Sequence, residues 1–178
     1  MILASGAYAR LRPDEKTSER DDLEFKAKLE GAQEVPPVAT TTTGTAEIKF
    51  NRELTAAKFE VKVSDGVGVT QAHVHCAPIG VNGPVVAFLF GNVPGGFDVD
   101  GGLAEFTLTD ANIAAVAANC VPTIGVAITN LAELAQATRD GNIYANVHTV
   151  ANPTGEVRGQ LRDEDDDDHG DDDDDDDD

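Results

Sequence analysis

Basic residues are scarce in this chain: 13 lysines and arginines stand against 33 aspartates and glutamates, for a formal charge of −20. Without a basic patch to release counterions from phosphates, nucleic acid is excluded as a partner. No run reaches the roughly 18 apolar residues of a membrane-spanning helix, so no membrane span is expected. Ser5, Ser18 and Ser64 lie in no Gly-x-Ser-x-Gly setting, and no carboxylate pair is spaced for a hydrolytic cleft. Gly80 to Pro84 lacks the lysine and following helix of a phosphate loop; its glycines and Asn82 suit a turn instead. Cysteine is nearly absent too. Cys76 and Cys120, the only two, read as a disulfide, which would imply an oxidising compartment and stabilise the fold by about 4 kcal/mol through loop closure. Two buried free thiols, or Cys76 as a metal ligand, are the alternatives.

The acidic residues are unevenly placed. Asp163 to Asp178 hold 14 of the 33, and without them the formal charge falls to about −6. An ordinary, mildly acidic domain over residues 23–162 therefore carries a disordered poly-acidic tail over 163–178. The tail reads as a solubilising segment, or as a weak, geometry-free collector of calcium or other cations, with His169 adding a softer contact. Residues 1–22 read as a disordered leader. Its Ala7-Tyr8-Ala9 has the small-x-small pattern of a cleavage site, so a truncated secretion signal and a frayed terminus both fit.

Between the tails, apolar residues alternate with polar ones. Leu23, Phe25, Ala27 and Leu29 mark a first strand, Ala46, Ile48 and Phe50 a second, and Ala57, Phe59, Val61 and Val63 a third. Asp65-Gly66-Val67-Gly68 reads as a turn leading into a further strand that carries His73 and His75. Val85 to Phe90 is apolar throughout, as in a strand buried on both faces. Val93 to Gly102 reads as a loop and Leu103 to Thr109 as a strand. Helices are expected over Ala111 to Ala118 and Leu131 to Arg139, capped by Thr109 or Asp110 and by Thr129 or Asn130. Two strands, Asn142 to Val150 and Gly155 to Arg162, close the domain as a hairpin. The sum is an all-β fold, an antiparallel β-sandwich with two short helical insertions.

Three of the four histidines lie in two strand-like segments. In Gln71-Ala72-His73-Val74-His75-Cys76 the two imidazoles point to one face of a strand, because successive side chains alternate. In Tyr144-Ala145-Asn146-Val147-His148-Thr149, His148 shares a face with Tyr144 and Asn146. If the strands are neighbours, three imidazoles converge. Such a set suits a mononuclear metal with an open position, and copper leads the affinity order. The alternative is a structural trio bonded to loop backbone. Cys76 should face the other side of the strand from His75, which favours the disulfide over ligation. Glu34 and the Pro36-Pro37 loop read as a rigid loop that ends an edge, or as a lid or a partner contact.

Four pieces in order carry a resemblance: Leu29-Glu30-Gly31-Ala32-Gln33-Glu34-Val35-Pro36-Pro37-Val38, Ala72-His73-Val74-His75, Gly80-Val81-Asn82-Gly83-Pro84-Val85-Val86, and the run from Tyr144 to Thr149 with Asn152-Pro153-Thr154-Gly155-Glu156-Val157-Arg158-Gly159-Gln160-Leu161. On these the chain resembles the CHRD domain family, named after the repeated domains of chordin. That likeness implies a secreted, periplasmic or cell-surface protein and allows a metal-free module that engages a protein partner. A weaker likeness to copper/zinc superoxide dismutases implies a Greek-key sandwich of immunoglobulin-like or superoxide dismutase-like type, paired copper ligands at His73 and His75, a late ligand at His148, and a catalytic role for Arg158 in attracting an anionic substrate. No histidine lies between His75 and His148 to bridge a second metal, so this pattern implies a copper-only site. Glu156 and Glu34 are the alternative, salt-bridging partners of Arg158.

Overall fold

The structure is a computed structural model, and it describes residues 23–163. The cleavage-site and cation-collecting readings fall outside the described residues, apart from Asp163 at the start of the tail.

Alternation dictates the first two strands. In β1 (Glu24–Glu30), Phe25, Ala27 and Leu29 turn inward, and in β2 (Thr43–Phe50), Ala46, Ile48 and Phe50 do the same. The two pair antiparallel with Phe25 opposite Ile48 and Ala27 opposite Ala46, so both apolar rows meet one core. At the next segment the expectation fails. A turn was expected at Asp65 to Gly68, but a single 20-residue strand, β3 (Ala57–Cys76), runs through it. Asp65 and Gly68 do take positive φ, 54° and 63°. They make bulges, with register shifts between Val63 and Gly66 and between Gly66 and Val69, and do not reverse the chain.

β3 organises the remaining strands. Its first half pairs with β2 and with β5 (Phe97–Leu108). Its second half pairs with β4 (Val85–Phe90) and β6 (Ile143–Thr149). β6 forms the expected hairpin with β7 (Val157–Gln160), and β7 returns to β1 through Glu30 opposite Arg158. The pairings β1, β2, β3, β6, β7 and back to β1 close a five-stranded barrel, with β4 and β5 as extensions. All seven strands belong to one sheet, so the all-β class stands, while the pairings form a closed ring where two facing sheets were expected.

Three further expectations change. β5 begins at Phe97, not Leu103, because the glycines read as loop formers are taken up along β3, with Gly101 opposite Val63 and Gly102 opposite Lys62. β4 is buried at Val86, Ala87 and Leu89, but Phe88 is 57% exposed. The first expected helix is replaced by two 3-10 turns, Asp110–Asn112 and Ala115–Cys120. Here the sheet edge competes with the helix: Ile113 bridges to Ala87 and the Ala114 N–H donates to the Val86 carbonyl at 2.6 Å. A short α1 (Val121–Ile124) follows. The second helix, α2 (Leu131–Arg139), forms where expected, with the Asn130 side chain accepting from the Glu133 N–H. Leu131, Leu134, Ala135 and Ala137 are buried. Cys76 and Cys120 form the disulfide, with Cα atoms 5.9 Å apart, and tie the end of β3 to the second 3-10 turn.

Candidate metal centre

Register brings the histidines together. β6 lies beside the second half of β3, with His73 opposite Asn146, His75 opposite Tyr144 and Gln71 opposite His148. On the far side of β6, Arg158 stands opposite Asn146 and Gln160 opposite Tyr144. Alternation then sends Ala72, Val74, Ala145, Val147 and Val157 to the barrel core, and His73, His75, Tyr144, Asn146, His148, Arg158 and Gln160 to the outer face.

That outer face is nonetheless buried; His73, His75 and His148 are only 5%, 8% and 6% exposed. The loop before β4 roofs it. Arg158 Nη1 donates to Asn82 Oδ1 at 3.0 Å and Nη2 to the Val81 carbonyl at 3.1 Å. Asn82 in turn donates to the Val35 carbonyl, and the Gly83 N–H donates to the Tyr144 hydroxyl at 3.2 Å. Beneath the roof the rings stack. The Arg158 guanidinium lies 3.9 Å over the Tyr144 ring, whose other stacking partner, His75, is nearly parallel at 4.8 Å. Phe88, across β4 from His73, stands perpendicular to that imidazole at 4.8 Å.

Two of the three imidazoles are fixed by carbonyls. His75 Nδ1 lies 2.9 Å from the Gly83 carbonyl and His148 Nδ1 lies 3.0 Å from the Pro153 carbonyl. A carbonyl only accepts, so both Nδ1 atoms carry the proton and both Nε2 atoms keep their lone pairs. This backbone bracing is how metal-ligating histidines are commonly oriented. His148 Nε2 is 3.0 Å from His73 Nδ1, and His73 Nε2 is buried without a partner. Burial, followed by the like charges His148 and His75 would carry, lowers His73 to a pKa of about 3. Burial also lowers His75 to about 4, against the opposing pull of the Gly83 carbonyl, and lowers His148. At neutral pH the trio is therefore uncharged, and each ring has one lone pair to offer a cation.

The ligand nitrogens lie within 4.8 Å of one another. Nitrogens sharing one ion at about 2.0–2.1 Å are at most about 4.2 Å apart. A shift of less than about 1 Å in one ring closes that difference. Three neutral imidazoles at this spacing thus fit a metal ion.

Not every candidate joins this centre as a ligand. Cys76 is excluded, because it faces the core within the disulfide. Arg158 is beside the centre but is 2% exposed, with two of its nitrogens held by the loop. Glu34 is also buried near it. Desolvation raises the Glu34 carboxyl to about 7 despite the charge of Arg158, and its Oε1 has no partner. Gly155, at φ +144°, makes room for it, since a Cβ there would sit 2.4 Å from Glu34 Oε1. Glu156 is not the partner of Arg158. It accepts from Thr149 and Asn152, and its pKa is lowered because side-chain hydrogen bonds led by Thr40 outweigh its burial. Asn146 is the residue whose place in the centre sequence reasoning missed. Strand parity puts it on the histidine face, but only the fold sets its Oδ1 3.1 Å from both His75 Nε2 and His148 Nε2.

The fold and site together define a small, disulfide-linked, all-β domain with a buried three-histidine cluster on its outer face. The CHRD domain matches residues 25–161, and the chain belongs to that family. It is a family of extracellular domains, which the disulfide fits. No curated protein and no solved structure matches the chain, so the likeness to superoxide dismutases rests on the pattern of the three histidines and Arg158. Among the described residues no helix is long and apolar enough to cross a membrane.

Proposed function

We propose that this protein is an extracytoplasmic binding module of the CHRD family, secreted, periplasmic or held at the cell surface, that keeps one metal ion through His73, His75 and His148. The observation that carries this reading is the pair of carbonyl-fixed imidazoles, His75 and His148, whose Nε2 lone pairs share a pocket with a third imidazole. Copper is the ion favoured by an all-imidazole set and by the affinity order. Bound copper would supply a one-electron couple, or simply a cargo to be stored and passed on. The chain's own part is to orient three neutral nitrogens, to keep bulk water out under the loop before β4, and to hold that loop down with Arg158. A steering role for Arg158 toward a small anion such as superoxide requires that loop to lift, because the guanidinium is covered. Binding and transfer are therefore favoured over turnover.

A second reading, a metal-free module that engages a protein partner, draws support from the contacts each histidine already makes within the cluster. The poly-acidic tail would then gather cations weakly. The deciding experiment is copper stoichiometry on the full chain after a chelator wash that clears the tail, with Cu(II) EPR, on wild type and His75→Ala. One retained copper with nitrogen hyperfine structure, lost in the variant, supports the metal site. No retained copper or zinc in wild type overturns it and leaves the partner-binding module.

A further inference from the structure

Donor accounting around Asn146 is unbalanced. As oriented, Asn146 Oδ1 lies 3.1 Å from His75 Nε2 and 3.1 Å from His148 Nε2. Both nitrogens are acceptors, because the Nδ1 proton of each ring is given to a backbone carbonyl. Three acceptors thus face one another, and among the described residues the donor in reach is the ring nitrogen of His73, 3.0 Å from His148 Nε2. A buried set of acceptors is satisfied in two ways. Either the amide turns over and its NH2 donates to both nitrogens, or a cation sits among them.

The spacing favours the second as the purpose of the oxygen. In the order His75 Nε2, Asn146 Oδ1, His148 Nε2 and His73 Nδ1, neighbouring atoms are 3.1, 3.1 and 3.0 Å apart. Donors at the corners of a tetrahedron around an ion at about 2.0–2.1 Å are about 3.3–3.4 Å apart. Three of its six edges are present to within about 0.4 Å, while the histidine nitrogens spread to 4.8 Å and would draw in by about 1.4 Å, with the His73 proton moved from Nδ1 to Nε2.

We infer that Asn146 is the fourth ligand of this site, presenting Oδ1 to a bound ion, and that in the ion-free protein its turned amide bridges His75 and His148. The inference rests on the three-histidine reading and sharpens it. Three nitrogens plus an amide oxygen suit a divalent ion, Zn(II) or Cu(II), over the cuprous ion that softer sulfur donors select. The site also holds its own substitute for the ion, so binding competes with two hydrogen bonds.

The test uses full-length protein and Zn(II) alone, titrated against a chelating indicator at neutral pH, with Co(II) absorption as a second readout. The proteins are wild type, His75→Ala, Asn146→Leu and Asn146→Asp. Expected are a loss of site-specific zinc binding in His75→Ala, a drop of tenfold or more in Asn146→Leu, and a gain of about tenfold in Asn146→Asp, where a carboxylate replaces the amide. The Co(II) bands should shift in both Asn146 variants. If wild type binds zinc and both variants match it in affinity and spectrum, Asn146 is not a ligand, although the histidine site stands. Zinc binding no tighter in wild type than in His75→Ala overturns both. Should Asn146→Leu fail to fold, the gain and spectral shift of Asn146→Asp still decide.

Discussion

Acid should destabilise this domain through its histidines, and Glu34 should offset up to about half of the effect. In the folded chain His73 and His75 are held at pKa values of about 3 and about 4, whereas unfolded histidine titrates near 6.5. Below pH 6.5 the unfolded state therefore binds more protons, and stability falls as the pH falls. Between pH 7.5 and 5.0 each of the two removes about 2 kcal/mol, or about 4 kcal/mol together. His148 acts in the same direction. Glu34 acts in the opposite one. Its carboxyl titrates at about 7 in the fold against 4.5 when unfolded, so the folded state takes up the proton first. Over the same interval it returns about 2 kcal/mol. Against a typical total of about 5–15 kcal/mol, the wild type should show a shallow loss. Glu34→Gln has no carboxyl to protonate and should show a loss about 2 kcal/mol larger. The measurement is urea unfolding of both proteins at pH 7.5 and 5.0 with a chelator present, comparing the change with pH within each protein. Any uniform effect of the substitution then cancels, as does the protonation of the tail. Equal losses in the two proteins would refute the buried, proton-holding Glu34.

Three other outcomes follow from the same geometry. Replacing both cysteines with serine should cost about 4 kcal/mol in urea unfolding, since the disulfide closes a separation of 44 residues. Gly155→Ala should cost about 2–3 kcal/mol, because its φ of +144° suits glycine and its Cβ would meet the Glu34 carboxylate; thermal unfolding should show part of the loss restored when Glu34→Ala is added. Arg158→Leu should cost about 3 kcal/mol by unpairing Asn82 and the Val81 carbonyl and removing the stack on Tyr144. Hydrogen exchange at the Gly83 amide should then quicken, and an unchanged rate would show that the loop does not depend on this arginine.

Strand parity made much of the candidate site legible. The His-x-His spacing puts His73 and His75 on one face, and the same period of two adds His148, so a three-histidine cluster needs only that β3 and β6 be neighbours. Helix α2 was equally readable, because Asn130, the apolar face of Leu131 and Leu134, and Gly141 all mark it locally. What escaped were features set by distant partners. Asp65-Gly66-Val67-Gly68 has the composition of a turn, but β5 pairs alongside it and turns the signal into bulges. Ile113 and Ala114 fit a helix until the edge of β4 takes their backbone. The sequence offers an arginine that could face solvent, and only the loop carrying Val81 and Asn82 shows it covered. Asn146 is similar: its importance lies in two distances across the sheet, which no spacing in one dimension encodes.

The 20-residue β3 has a mechanical consequence. Four of the other six strands hydrogen-bond directly to it, β2 and β5 along its first half and β4 and β6 along its second. Between the halves lie the two bulges around Gly66, where the ladder breaks step and Val67 is exposed. β3 is thus a spine with a joint at its middle. A push on β5 reaches the histidines either along β3 through that joint or around the ring by β2, β1, β7 and β6, and a bulge absorbs twist more readily than an unbroken ladder. The imidazoles are therefore tied to the far half of the domain by the closed ring as much as by β3 itself.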